Sequence, residues 1–196
     1  ARHQSGFAET WQRRYPGFRL IPEGGGGMVG ASGFAGIAPM LRAQLPALGW
    51  TDYDVCWLAA GTGTTLAGLV LADAGTHRLY GAQVVPLDHG VEAQISEVLQ
   101  QAGRSDSGYC LIDACRGGYA RIDGQLAAFI REIDEDGRLP LEACYTGKAL
   151  LALRDQVRAG YFAKGTRVIF MHTGGLQGRR AQEHLLRVFA DTPLVS

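Results

Sequence analysis

A glycine- and threonine-rich turn is the part of this sequence best suited to binding a small anion. Gly61-Thr62-Gly63-Thr64-Thr65 follows a short apolar run at residues 54–59 and precedes a helical pattern at residues 66–74. Glycines let the backbone approach an anion closely, and the first amides of a helix then point at phosphate oxygens. The alternative is an ordinary tight turn in which a threonine caps the helix.

Two nucleotide-binding patterns do not fit this turn. Gly63 and Gly68 have the spacing of a Walker loop, but Leu69 and Val70 stand where that loop needs a lysine and a hydroxyl. The dinucleotide fingerprint needs a third glycine where this chain has Leu66, and the next predicted strand does not end in the acid that would hold a ribose. A small phosphorylated cofactor therefore fits the turn better than a nucleotide does.

The segment Tyr145-Thr146-Gly147-Lys148 is an unusual start for the helix predicted at residues 146–159. A tyrosine at this point can hold its phenol over a cleft, although packing against the core is the alternative. Lys148 is a candidate for forming a Schiff base with a carbonyl group, but we interpret it as a surface lysine in the first turn of the helix. Lys164 lies in a polar loop and is a weaker candidate.

The segment His172-Thr173-Gly174-Gly175 ends a predicted strand at residues 167–172. A histidine at the end of a strand can act as an acid or base, and a structural hydrogen-bonding role is the alternative. The sequence contains no cluster with metal-ligand spacing and no Gly-x-Ser-x-Gly elbow.

Alternating strands and helices predict the fold class. Such alternation is typical of an α/β fold with a mostly parallel sheet and helices on both faces, which binds ligands beyond the C-terminal ends of its strands. The predicted strands are residues 54–59, 78–85, 109–112 and 167–172, and the predicted helices are residues 34–48, 66–74, 91–102, 123–135 and 146–159.

Composition limits the partners that this chain can have. Hydrophobic residues make up 46% of the chain and its formal net charge is zero, so we expect neither nucleic acid nor an anionic membrane as a partner. No apolar stretch is long enough to span a bilayer. The four cysteines lack C-x-x-C spacing, and Cys56 and Cys110 lie in apolar runs, so we predict buried thiols and a cytoplasmic protein.

Together these segments resemble one family. Ile21-Pro22-Glu23-Gly24-Gly25, the turn at residues 61–65, Tyr145-Thr146-Gly147-Lys148 and His172-Thr173-Gly174-Gly175 occur in the order found in the D-cysteine desulfhydrases and the 1-aminocyclopropane-1-carboxylate deaminases. The resemblance implies a pyridoxal 5'-phosphate enzyme with the tryptophan-synthase-β type of fold, and a homodimer. It further implies that residues 1–20 finish a smaller domain and that residues 21–196 form most of the larger, cofactor-phosphate-binding domain.

The resemblance also implies roles for individual residues. Tyr145 lies beside the cofactor ring as an acid or base, and Tyr119 is the second tyrosine of the site. Around Tyr119 the usual Gly-Tyr-Gly-x-Pro of the family is changed to Gly118-Tyr119-Ala120-Arg121-Ile122. The residues implied in cofactor binding are Thr62, Gly63, Thr64 and Thr65 at the phosphate, Thr146 at the pyridine nitrogen, and Thr173.

Two segments of the family are absent from this chain. The Gly-Asn-Lys segment, whose lysine holds the cofactor, and the Ser-Asn-His segment, which receives the substrate carboxylate, both precede Pro-Glu-Gly-Gly in the family. We therefore expect the chain to lack the N-terminal part of the fold and to be inactive by itself.

The resemblance implies elimination and deamination of a small amino acid. Threonine at positions 146 and 173, where the aminocyclopropane-carboxylate deaminases usually have Glu and Leu, favours the D-cysteine branch. The alternatives are an aminocyclopropane-carboxylate deaminase, another enzyme with a phosphorylated ligand, and a relative without catalysis.

Overall fold

Four parallel strands form the sheet at the centre of the part of the chain that the structure describes, residues 6–137 and 139–190. In this computed structural model the strands are β1 (Val55–Ala60), β2 (Arg78–Gln83), β3 (Tyr109–Asp113) and β4 (Val168–Met171). Their order across the sheet is β3-β2-β1-β4, and every pairing is parallel. The predicted α/β class and mostly parallel sheet are therefore confirmed.

Helices precede and follow these strands. In chain order they are α1 (Phe7–Arg14), α2 (Met28–Ser32), α3 (Ile37–Gln44), α4 (Thr64–Asp73), α5 (Val91–Gln101), α6 (Gly124–Glu135), α7 (Thr146–Arg158) and α8 (Leu176–Ala190). Asp123 caps α6, as predicted, because its carboxylate accepts a hydrogen bond of 2.8 Å from the N–H of Leu126. None of the described helices has the length and apolar character needed to cross a membrane.

Both faces of the sheet are covered by helices. The six residues of β1 are all buried, as expected for a continuous apolar run between two helical layers. On one face the indole N–H of Trp57 donates a hydrogen bond of 2.9 Å to the carbonyl of Ala149 in α7. On the other face a Cβ at Gly81 would lie 2.6 Å from the side chain of Leu66 in α4, so glycine allows close packing there.

The helix predicted at residues 34–48 is wrong at both ends. The apolar spacing continues through this segment, but Pro46 has no amide hydrogen to donate and the chain tightens into a 3-10 turn at Leu45–Leu48. Gly49 then ends the turn in the left-handed conformation, with φ of 69°. Consequently Leu45 is buried while Leu48 is 62% exposed.

The prediction of buried cysteines holds for Cys56 and is wrong for Cys110. Cys56 lies in the central strand and is 1% exposed. Cys110 is exposed because β3 is an edge strand whose residues are only partly covered. All four cysteines are free thiols.

Helix α1 contributes no buried residue to the core. Its aromatic residues contact one another instead, and the rings of Trp11 and Tyr15 stack at 5.8 Å. The division between two domains at residue 20 stays a prediction.

A histidine between two carboxylates joins the beginning of β1 to the end of α4. The Nδ1 atom of His77 contacts the carboxylate of Asp73, and its Nε2 atom lies 2.9 Å from the carboxylate of Asp52. The imidazole also stacks on Tyr53 at 3.8 Å. Burial opposes protonation, but the hydrogen bonds that the imidazole donates to the two carboxylates prevail and raise the pKa of His77 above its ordinary value.

We predict that this cluster makes the stability of the chain depend on pH. Because the pKa of His77 is raised in the folded state, its contribution is complete below the ordinary pKa of 6.5 and is lost as pH rises through the folded-state value. Urea unfolding at a series of pH values should show this loss in the wild type, and His77→Gln should abolish it. His184→Gln, a change at an exposed histidine, is the control. Equal pH profiles for the wild type and His77→Gln would contradict the prediction.

Candidate functional site

A cavity of about 570 Å³ opens at the C-terminal ends of three neighbouring strands. This is the edge of a parallel sheet at which ligands usually bind, and the volume suits a small cofactor and substrate. Residues from six stretches of the chain meet there: Glu23, Gly24, Ala59, Gly61, Thr62, Thr65, Val85, His89, Gln94, Tyr119, Glu142, Tyr145, Thr173, Gly174 and Gly175.

The glycine- and threonine-rich turn forms the floor of this cavity after β1. Helix α4 begins at Thr64, and its N-cap residue is Gly63 with φ of 84°, so the cap residue supplies no side-chain acceptor to the first amides. The alternative interpretation, in which a threonine caps this helix, is therefore wrong. The first amides of α4 have no side-chain cap and so remain able to bind an anion. Thr62 and Thr65 line the cavity, whereas the hydroxyl of Thr64 turns toward that of Thr62 at 3.1 Å.

A second glycine-rich segment, residues 24–27, packs directly against this turn. A Cβ at Gly24 would lie 2.5 Å from the hydroxyl oxygen of Thr62, so a larger residue would displace the threonine. A Cβ at Gly61 would lie 2.9 Å from the ring of Tyr145, which brings α7 against the same turn. At both positions the absence of a side chain lets a neighbouring segment pack closely.

Two tyrosines stand together at the wall of the cavity. The rings of Tyr119 and Tyr145 are 5.7 Å apart in an edge-to-face arrangement. Burial, and then the neighbouring Tyr119 side chain, raise the pKa of Tyr145. The Tyr145 phenol is therefore neutral near pH 7, so it can donate a proton but does not act as a phenolate base.

The sequence analysis missed Glu142, whose buried carboxylate lines the cavity and caps α7. It accepts hydrogen bonds from the N–H groups of Cys144, Tyr145 and Thr146 at 2.6, 2.7 and 2.6 Å. Its side chain is held against Gly175, where a Cβ would lie 2.4 Å from the Glu142 Cγ atom. An acidic residue shortly before a predicted helix is the signal that could have revealed it.

Thr146 is placed beside Glu142 and lies behind the cavity wall. It is 1% exposed, and its hydroxyl accepts from the Glu142 N–H at 3.1 Å while donating to the Glu142 carboxylate at 3.2 Å. With its proton directed to Glu142, the hydroxyl has only a lone pair to offer another group. Its role at a pyridine nitrogen stays a prediction.

The interpretation of Lys148 as a surface residue is wrong. The side chain is 0% exposed, and its Nζ atom donates hydrogen bonds to the carbonyls of Cys115 at 2.7 Å and Gly118 at 2.6 Å. Burial lowers the pKa of this lysine. The first-turn position faces the core because the loop that carries Tyr119 folds over it, a long-range contact that helical periodicity cannot reveal.

The two histidines near the site have different positions. His172 is structural, since its Nε2 atom bonds to the carbonyl of Pro140 at 2.8 Å and its Nδ1 atom accepts from the N–H of Gly174 at 3.3 Å. His89 lines the cavity and was missed, because it follows β2 in a short 3-10 turn without a recognisable motif. Within the described residues no group of three or more His, Cys, Asp or Glu side chains is placed to hold a metal.

The cavity fits part of the chemistry of pyridoxal 5'-phosphate. The uncapped amides after Gly63 suit its phosphate, and Tyr145 suits a position beside its ring. Neither of the two lysines of the sequence lines the cavity, because Lys148 is bonded elsewhere and Lys164 lies in an exposed loop. The cavity therefore has a turn that suits a phosphate group and, among the described residues, no lysine in its lining.

Comparison with known proteins agrees with the motifs. No family profile matches the chain. A 1-aminocyclopropane-1-carboxylate deaminase of Burkholderia ambifaria is 30% identical over 172 residues, which cover 81% of this chain and 50% of the relative. That of Ralstonia nicotianae is 29% identical over 172 residues, with the same coverage. The chain is a relative of the aminocyclopropane-carboxylate deaminases.

A solved structure extends this relationship to the fold. The crystal structure of an aminocyclopropane-carboxylate deaminase homologue superposes with a TM-score of 0.71 and 26% identity, covering 93% of this chain and 57% of the other. The chain spans about half the length of the curated relatives it matches. The family resemblance and the α/β fold predicted from the sequence are confirmed.

We predict that Gly63→Ala weakens binding of inorganic phosphate by at least about tenfold, equivalent to about 1.4 kcal/mol. The new Cβ would lie 2.6 Å from the side chain of Ile95, and alanine disfavours a φ of 84°. Titration calorimetry with phosphate measures the change. Gly75→Ala, with the same φ and nothing within 4 Å, is the matched control and should bind like the wild type. Phosphate bound on residues 24–27 would contradict the assignment.

We also predict that this chain forms no stoichiometric lysine adduct with pyridoxal 5'-phosphate. Lys148 is buried and bonded to two carbonyls, and Lys164 is exposed outside the cavity. The measurement is borohydride reduction after incubation with the cofactor, followed by peptide mapping by mass spectrometry. Complete labelling of Lys148 would overturn this prediction, whereas weak labelling of Lys164 would match that of any exposed lysine.

Proposed function

We propose that this chain is the phosphate-binding and tyrosine-bearing part of a pyridoxal-phosphate enzyme that deaminates a small amino acid by elimination. One observation carries the proposal: an uncapped glycine-threonine turn and a pair of tyrosines in edge-to-face contact share one cavity at the ends of parallel strands. The names of the relatives support deamination as the reaction class.

The residues of the cavity would divide the work between binding and proton transfer. The amides of residues 63–65 would hold the phosphate, with Thr62 and Thr65 adding hydroxyl donors. When bound, pyridoxal phosphate withdraws electrons from the Cα atom of an amino acid and so allows a proton to leave it. Tyr145, kept neutral by its raised pKa, would donate its phenolic proton to the departing group. Tyr119, whose ring lies 5.7 Å from that of Tyr145, would position this phenol.

Two residues support the D-cysteine branch of the reaction. Thr173 lines the cavity where the family's deaminases usually have leucine, so the wall offers a hydroxyl to a polar substituent. Thr146 stands where those deaminases usually have glutamate. A thiolate is a good leaving group, so its elimination needs less electron withdrawal by the cofactor ring. A hydroxyl, which can only hydrogen-bond, is therefore compatible with this reaction.

An aminocyclopropane-carboxylate deaminase is the second candidate, and the names of the relatives favour it. Glu142 also supports this candidate, because it brings a carboxylate to the cavity from a different position in the sequence. A relative without catalysis would bind phosphate and turn over neither amino acid.

We predict that the full-length protein containing this chain prefers D-cysteine to 1-aminocyclopropane-1-carboxylate. Thr173→Leu should lower the ratio of the two kcat/KM values by on the order of tenfold, the effect of losing about one hydrogen bond in the transition state. Steady-state assays on both amino acids measure the ratio, and Thr51→Leu, at an exposed threonine away from the cavity, is the control.

Adding Thr146→Glu should shift the preference further in the same direction. A second carboxylate at that position would lie against Glu142, however, so Thr173→Leu alone is the cleaner variant. A wild-type protein that prefers the cyclopropane amino acid would contradict the branch and leave the cofactor proposal intact.

A further inference from the structure

We propose that Lys148 is a positioning residue that holds Tyr119 against Tyr145. The proposal deepens the proposed function, since it concerns the tyrosine pair of that site, and it is argued from contacts that exist without substrate or cofactor. Lys148 itself does not line the main cavity and touches no reacting group.

The lysine clamps the loop that carries Tyr119 at two points. Its Nζ atom donates to the carbonyl of Cys115 at 2.7 Å and to the carbonyl of Gly118 at 2.6 Å. Gly118 directly precedes Tyr119 in the sequence, so the second hydrogen bond fixes the backbone from which the tyrosine side chain projects. The loop carbonyls replace water around a fully buried ammonium group, which would otherwise be strongly unfavourable there.

The loop needs such a clamp because its backbone is strained. Arg116 and Ala120 have φ of 53° and 57°, in the left-handed region that disfavours residues with a Cβ. Gly117 and Gly118 between them also have positive φ. Strained backbone of this kind persists only where surrounding contacts determine it. Arg116 has a second anchor in Asp123, whereas the side chain of Tyr119 contacts the ring of Tyr145.

One helix therefore sets both tyrosines. Tyr145 is the N-cap residue of α7, and Lys148 follows three residues later, on the same side of the first turn. The helix carries the first tyrosine directly and holds the second through the lysine. Tyr119 is 52% exposed, so packing alone does not fix it. Residues 145–148 therefore act together: Tyr145 contributes its phenol, and Lys148 positions Tyr119 and forms no covalent bond.

Titration of the Tyr145 phenol tests the proposal without any turnover. The seven tyrosines are labelled with carbon-13, and Tyr145→Phe identifies the Tyr145 signal. Lys148→Met should raise the ionisation constant of Tyr145 by about tenfold, because the loop releases Tyr119 from its ring contact and water gains access to the Tyr145 phenol. Lys164→Met makes the same change at an exposed lysine and should leave the titration unchanged.

A double variant separates positioning from a general loss of structure. If Lys148 acts through Tyr119, adding Lys148→Met to Tyr119→Phe should cause no further change in the ionisation of Tyr145. An equal further change would overturn the proposal, as would a Lys148→Met chain whose Tyr145 titrates like the wild type. Phosphate affinity at the turn should stay within about twofold, since the turn does not contact Lys148.

Lys148→Gln is measured if Lys148→Met is too unstable to titrate. Glutamine keeps one amide donor for the loop, so a smaller increase in the ionisation constant of Tyr145 is expected. No increase in that constant would count against the proposal. Ala120→Gly, which removes the cost of the positive φ, should reduce the effect of Lys148→Gln. An inactive full-length enzyme would contradict the proposed function but would leave each of these results unaffected.

Discussion

The carboxylate of Glu142 is the constraint on which the candidate site depends. A helix that begins inside a protein has amides without partners, and burying them unsatisfied would be costly. Glu142 accepts hydrogen bonds from the N–H groups of the first helical residue and of the two residues before it, and is itself almost fully buried. Because it fixes where α7 starts, it also fixes the direction in which Tyr145 leaves the backbone. The absence of a side chain at Gly175 leaves room for this arrangement.

Two buried charged residues of opposite sign lie at the start of α7, Glu142 just before the helix and Lys148 in its first turn, and each organises a different neighbour. Glu142 accepts hydrogen bonds from the backbone at the start of the helix, while Lys148 donates hydrogen bonds to the loop after β3. Buried charges add little net stability when they are paired, but they permit few alternative packings. The same residues would be poor choices in a helix whose only task was to cover a sheet. Their presence at the cavity agrees with a site that must hold a defined geometry.

The sequence could predict the elements of this fold far better than the contacts between them. The strands and the later helices follow from local apolar patterns, and Asp123 follows from capping preference. The helix at residues 34–48 fails at its C-terminal end because Pro46 outweighs a regular pattern. Lys148 and Cys110 fail for a different reason, since burial depends on what another part of the chain places over a residue. Glu142 and His89 lie outside any motif, so only the three-dimensional structure brings them to the cavity.

The pairing of β1 with β4 has a consequence for how the chain folds. The N–H of Arg167, at the beginning of that pairing, bonds to the side chain of Asp54, which is 113 residues away along the chain. Contacts between such distant residues form slowly, because the loop entropy is lost before the new contacts compensate for it. The pairs of β1 with β2 and of β2 with β3 are much more local and can assemble first. Thr173 follows β4, so the wall that it contributes to the cavity is completed only when β4 joins the sheet.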